Sequence, residues 1–158
     1  MNYRRLIISF ALPQLAGLAG SIFTGPAIAT WYSFLEKPSF SPPNWLFGPV
    51  WITLYLLMGI SVYLIWQRTD KGRQAKSAKE SVRIFWIHLV FNALWSLMFF
   101  GLKSPAFGLV VIIILWLLIV VLMTKFWKIN KYAAYLLAPY FVWVSFASVL
   151  NFFLWYLN

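Results

Sequence analysis

Gly108–Met123 reads GLVVIIILWLLIVVLM, sixteen residues without a charge or a hydrogen-bonding side chain apart from one indole. Strict alternation of apolar and polar positions, which a lipid-facing β-barrel strand requires, is missing, so the run predicts a helix satisfied by its own backbone ladder. Extended to Ala106–Trp127, it is long enough to cross a hydrocarbon core of about 30 Å, which takes about 20 apolar residues. Four further runs of this kind flank it: Leu6–Ala29, Trp45–Trp66, Val82–Leu102 and Tyr132–Tyr156. Composition agrees, because 63% of the residues are hydrophobic and 10% charged, against about 45–50% and about 25% in soluble domains. The expectation is an all-α membrane protein: one domain over residues 1–158, a bundle of five transmembrane helices at approximately 6–29, 45–66, 82–102, 106–127 and 132–156.

Arg4 and Arg5 before the first run, with Ala27-Ile28-Ala29 at its end, resemble a cleavable leader. The length of the run and Pro13 within it favour a retained helix. Between the first two runs lies WYSFLEKPSFSPPNWLFGPVW (Trp31–Trp51). Pro38, Pro42, Pro43 and Pro49 fix φ and remove backbone donors, so this stretch predicts a semi-rigid irregular lid with at most a short helical turn.

Charge sets the expected orientation. Threading five helices places Arg4, Arg5, Arg68, Lys71, Arg73, Lys76, Lys79, Arg83, Lys125, Lys128 and Lys131 on one side, and only Lys37 and Lys103 on the other. Such a bias predicts a cytoplasmic N-terminus and an external lid and C-terminus, in what is expected to be a cytoplasmic membrane. The net charge of +10 is then accounted for by topology and anionic lipid, with no call for nucleic acid. Arg68–Ser81 reads as a solvated connector. Ser104-Pro105 and Asn130 mark the starts of the fourth and fifth helices. Pro13 and Pro139 predict kinks whose freed carbonyls are covered by protein or a hydroxyl. Ala16, Gly17, Gly20, Ser21 and Gly25 predict close helix contact along the first helix, within the monomer in preference to between monomers.

Helical spacing then sorts the polar and aromatic residues. On the third helix His88, Asn92, Trp95, Ser96 and Phe99 share a stripe, on the fifth Tyr140, Trp143, Ala147, Leu150 and Asn151, and on the second Trp51, Tyr55 and Gly59. Three helices thereby offer tryptophan, a polar group and a small residue to a common interior, which suits a flat, largely apolar ligand. Trp66, Trp127 and Trp155 read as interfacial anchors. Trp95 and Trp143 lie deeper, where a packed core or a ligand wall would hold them; the adjacent small residues favour the wall. Classical catalysis finds no materials: Cys is absent, there is one His, and Glu36, Asp70 and Glu80 are scattered, leaving no metal cluster, carboxylate pair or triad.

Trp31-Tyr32, Lys37-Pro38-Ser39-Phe40, Pro42-Pro43-Asn44-Trp45, Phe47-Gly48-Pro49-Val50-Trp51, Leu54-Tyr55 and Met58-Gly59 resemble the tryptophan-rich sensory protein and translocator protein family (TspO/MBR, the peripheral-type benzodiazepine receptors). Asn92, Trp95-Ser96 and Phe99-Phe100-Gly101, then Pro139-Tyr140, Trp143, Phe146-Ala147 and Leu150-Asn151, continue the resemblance over nearly the whole chain. It implies a five-helix protein, often a homodimer, that binds porphyrins such as protoporphyrin IX and benzodiazepine-site ligands and needs no cofactor. Carried over, the ligand-binding residues would be Trp31, Tyr32, Trp51, Tyr55, His88, Asn92, Trp95, Trp143 and Ala147. Trp51 and Trp143 match tryptophans implicated in light-dependent porphyrin breakdown by some relatives. Three departures stand out: His88 replaces a common Gln and reads as a hydrogen-bonding substitute rather than a haem ligand; only Leu157 and Asn158 follow Tyr156, which breaks the sterol pattern; and Ser41 replaces the His of animal members, as in a microbial one. The functional expectation is a tetrapyrrole-binding sensor or regulator, with a photodegrading enzyme and a porphyrin or lipid transporter as alternatives.

Overall fold

A computed structural model describes residues 2–70 and 72–158; Lys71, one of the loop cations, lies outside the described residues. Five helical spans run Tyr3–Ala29, Asn44–Trp66, Ala75–Gly101, Pro105–Ile129 and Lys131–Leu157. Within them the α-helices are α1 (Tyr3–Ala29), α2 (Phe47–Trp66), α3 (Ala75–Ser96), α4 (Pro105–Ile129), α5 (Lys131–Leu136) and α6 (Ala138–Leu157). The fold is therefore the expected five-span helical bundle.

Local chemistry sets the helix ends. Ser104 Oγ accepts from Phe107 N at 3.3 Å with Pro105 in the first turn of α4, and Asn130 Oδ1 accepts from Tyr132 N at 3.0 Å and Ala133 N at 3.4 Å. Both caps are those the sequence marks. The fifth span breaks at Leu137 because Pro139 cannot donate to the ladder. Leu137 N turns to Ala134 O at 3.1 Å, and the carbonyl of Ala133 is left to the hydroxyl of Ser61 on α2, 2.7 Å away and fully buried. The kink thus meets the expectation that a hydroxyl covers the freed acceptor. At Pro13 the carbonyl four residues back, whose ladder donor the proline lacks, belongs to Ser9. It faces Gly59, where a Cβ would sit only 2.9 Å from the oxygen, so the glycine admits the kinked helix.

The third span differs from expectation at both ends. Residues 75–81 are helical rather than a connector, with Ala78 and Ser81 fully buried. Ala, Lys, Glu and Ser propagate a helix beyond the bilayer as readily as within it, and hydropathy does not register that. At the other end α3 runs on into a π turn over Leu97–Gly101 that carries it to the end of the span, with Leu102 N donating to Leu97 O at 2.8 Å.

Packing divides the bundle into a filled half and a hollow half. Toward the α2–α3 loop, Met58, Val62 and Ile65 interlock with Phe85, Leu115, Ile119, Phe126 and Tyr140, all without exposed surface. Arg5 pins α1 to this end, donating to Trp66 O at 2.9 Å and forming a two-point ion pair with Asp70. That guanidinium holds the exposed Asp70 carboxyl below the ordinary carboxylate range. Helix α1 buries little, Ser9, Pro13, Gly20 and Ala27 being its only buried residues among those described, and its lid-side half borders a cavity.

The lid itself is irregular except for single 3₁₀ turns at Tyr32–Phe34 and Asn44–Leu46. Its fastening runs to the end of the chain. Asn158 accepts from Glu36 N at 2.9 Å and donates to Glu36 O at 3.0 Å, while Phe40 sets its ring edge-on to Phe146 and Phe153.

Candidate functional site

A cavity of about 560 Å³ occupies the hollow half between α1, α2 and α3, beneath the lid. Its volume falls within the roughly 300–1,000 Å³ of small-molecule sites. The α1 wall is made of small groups, Gly17, Gly20, Ser21, Thr24 and Gly25; α2 contributes Phe47, Trp51 and Tyr55; α3 contributes Asn92, Trp95, Ser96 and Phe100; Tyr32 and Asn44 close it from the lid. Burial pushes the Tyr32 phenol above its ordinary pKa, so it stays a neutral donor and acceptor at physiological pH.

The aromatic wall is ordered. Trp51 stacks on Tyr55 with centroids 5.4 Å apart and planes at 28°, lies at 31° to Trp95 across 6.2 Å, and Trp95 stacks on Phe99 at 5.8 Å and 29°. Four rings from two helices therefore form a near-parallel ladder. Trp95 is held from behind, its Nε1 donating to Asn151 Oδ1 at 3.1 Å while Asn151 Nδ2 donates to Pro105 O at 2.7 Å. That bond fixes the orientation of the indole within the ladder.

Glycines let α1 close the third side. At Gly17 a Cβ would run into the Tyr55 ring, and at Gly20 it would meet Ser96 Cβ at 3.2 Å. Ser96 Oγ donates to Gly20 O at 2.8 Å and lies 2.7 Å from Thr24 Oγ1. Most of the wall is apolar, and its polar spots are few.

Beneath the floor lies a buried polar row: Tyr55 Oη donates to Asn92 Oδ1 at 2.6 Å, Asn92 Nδ2 donates to Tyr140 Oη at 2.9 Å, and Tyr140 Oη lies 2.8 Å from His88 Nε2. His88 Nδ1 reaches Phe85 O at 3.2 Å.

Of the residues singled out in the sequence, Tyr32, Trp51, Tyr55, Asn92 and Trp95 stand together on the cavity wall. Four stand elsewhere. Trp31 packs edge-on against Phe99 at 5.5 Å. His88 has no exposed surface and sits one layer below, behind Asn92 and Tyr140. Trp143 lies behind Phe47, their centroids 5.9 Å apart, and its Nε1 is buried without a hydrogen-bond partner. Ala147 is buried at 5% exposure within the main core. Helix α6 packs on α4 and the underside of the lid and meets α3 through Tyr140 and Asn151, so Phe47, Trp51 and Trp95 stand between it and the cavity. On α3, Phe100 reaches the wall and Phe99 packs behind it, the π turn having reset the helical phase the stripe assumes. The contribution of α1 is absent from the sequence reading, which gives its small residues to helix contact; the same spacing serves a cavity wall.

Among the described residues, no three His, Cys, Asp or Glu side chains cluster to hold a metal.

Comparison with known proteins agrees with this architecture. The TspO/MBR family model matches residues 9–157. The tryptophan-rich protein TspO of Archaeoglobus fulgidus is 42% identical over 158 residues, which is 100% of this chain and 99% of the relative. The tryptophan-rich protein TspO of Chlorobaculum tepidum is 42% identical over 153 residues, 97% of this chain and 95% of the relative. The translocator protein of Homo sapiens is 33% identical over 143 residues, 90% of this chain and 83% of the relative. The five-span bundle with its proline-aromatic lid therefore belongs to the TspO/MBR family of tryptophan-rich sensory and translocator membrane proteins.

Proposed function

We propose that this protein binds a flat, largely apolar tetrapyrrole such as protoporphyrin IX within the membrane and acts as a sensor or regulator of porphyrin supply. Aromatic benzodiazepine-site ligands would share the cavity. The observation that carries this reading is the ladder of Tyr55, Trp51, Trp95 and Phe99 beside a cavity of about 560 Å³. Stacked aromatic faces suit a planar π-system, and the glycine-rich α1 wall leaves room for a second flat face opposite. Carboxylates at the edge of such a ligand would look toward the lid, where the Lys37 ammonium lies 4.9 Å from the Tyr32 ring centroid. The charge bias supports a cytoplasmic N-terminus, which would open the lid side to the exterior.

A second reading, light-dependent degradation of the bound porphyrin, is favoured by the position of Trp51. Its oxidisable ring stands in the wall itself, in contact with those of Tyr55 and Trp95.

Titrating the purified protein with protoporphyrin IX while following tryptophan fluorescence, first in the dark and then under illumination, tests both. Saturable quenching in the dark, weakened roughly two- to tenfold in Trp51→Ala, is expected for the sensor. Protein-dependent bleaching only in light, lost in Trp51→Phe, would establish degradation. Absence of saturable binding would overturn both.

A further inference from the structure

The row of buried side chains below the cavity has one possible direction, and it is fixed at the end farthest from the ligand. Phe85 O can only accept a hydrogen bond, so His88 Nδ1, 3.2 Å away, carries the ring hydrogen. The imidazole is enclosed and has no carboxylate partner among the described residues, so it is uncharged and Nε2 presents a lone pair. Tyr140 Oη, 2.8 Å from that lone pair, must donate to it. With its single hydrogen committed, Tyr140 accepts from Asn92 Nδ2 at 2.9 Å. The amide is thereby oriented with Oδ1 toward α2, where Tyr55 Oη donates at 2.6 Å. Tyr55 belongs to the cavity wall, and its one hydrogen is already committed to Asn92.

We propose that His88 is a specificity-determining residue: acting through Tyr140 and Asn92, it fixes the chain's direction so that Tyr55 Oη meets the ligand only as an acceptor. The cavity then favours a ligand group that brings an N–H or O–H to the α2 wall and disfavours one that brings only a carbonyl or ester oxygen. This rests on the reading of the cavity as a tetrapyrrole site. His88 is a positioning residue and touches no ligand. A glutamine in its place carries a donor and an acceptor on one side chain and can offer either to Tyr140, which would let the row run both ways and leave Tyr55 free to donate.

Two measurements test this, the first without any ligand. The chain has a single histidine, so ¹⁵N-histidine labelling of protein freed of any affinity tag gives ring resonances that belong to His88 alone. A protonated Nδ1 and a bare Nε2 at neutral pH are expected; the opposite tautomer, or an exchange average of the two, overturns the proposal. The second compares two probes that keep both propionates and differ at the opposite edge of the macrocycle, haematoporphyrin with two hydroxyethyl groups and diacetyldeuteroporphyrin with two acetyl groups, in dark binding. The wild type is expected to favour the hydroxyethyl probe about tenfold, the worth of one well-placed hydrogen bond, and His88→Gln to bring the ratio toward unity while still binding both. Equal affinities in the wild type overturn the selectivity and leave the cavity reading standing. Failure of both probes to bind saturably overturns the cavity reading, and this inference with it.

Discussion

Replacing Gly17 with alanine places a methyl group inside the ring of Tyr55, the built Cβ lying 2.8 Å from Cδ2 and 3.0 Å from Cζ. Tyr55 has little freedom to retreat, because its hydroxyl is held by Asn92 at 2.6 Å and its face by Trp51 at 5.4 Å. Either α1 moves off the bundle or the ring leaves both partners. Overpacking of this kind costs about 1–3 kcal/mol. Against it stands the gain of about 1 kcal/mol from removing a glycine in mid-helix. The net effect of Gly17→Ala is therefore a loss of up to about 2 kcal/mol in the wild-type background, and a gain of up to about 1 kcal/mol in a Tyr55→Leu background, where the ring is gone. The coupling, about 1–3 kcal/mol, isolates the contact from helix propensity. Thermal unfolding of the four proteins in one detergent reads it, at about 2–4 °C per kcal/mol for a chain of this size. Equal shifts from Gly17→Ala in both backgrounds would refute the close approach of α1 to the aromatic wall.

Other perturbations have equally definite outcomes. Ser61→Ala leaves the Ala133 carbonyl at the α5–α6 break without its donor and is expected to lower stability by about 0.5–2 kcal/mol, read by thermal unfolding. Asn151→Leu strips the partner from Trp95 Nε1 and Pro105 O; a loss of about 1–3 kcal/mol and an altered Trp95 emission spectrum are expected. For the Arg5–Asp70 pair the folded carboxyl lies below its ordinary value, so its stabilisation is fully present above the unfolded pKa of about 3.9 and is lost as pH falls through the folded one. The melting-temperature gap between wild type and Asp70→Asn should hold constant from neutral pH to about pH 5 and close under more acid conditions.

Legibility in the sequence followed what lipid and backbone chemistry impose. Gly108–Met123 could only be a membrane helix, and Ser104, Pro105 and Asn130 announced ends that the structure places within a residue or two. Lipid has no say where the chain leaves it, which is why the polar but helix-forming stretch 75–81 was missed. Periodicity located the inward stripe of α6 at Trp143 and Ala147 without revealing that Phe47 stands in front of it, since which neighbour faces a stripe depends on the packing of other helices. Spacing on α3 carried Phe99 to the inner face, and the π turn at Leu97–Gly101 gave that place to Phe100. Nothing local could have joined Asn158 to Glu36, 122 residues apart.

The proposed function requires a flat tetrapyrrole to lie between α1 and the aromatic wall of α2 and α3. Because the chain contains no cysteine, one thiol placed by Ser21→Cys on the cavity wall reports occupancy through its rate of maleimide labelling, beside Gln67→Cys at the opposite end of α2 as control. Saturating protoporphyrin IX in the dark is expected to slow labelling at residue 21 about tenfold or more and to leave residue 67 unchanged, whereas undiminished labelling at residue 21 with the porphyrin demonstrably bound would contradict the placement of the ligand.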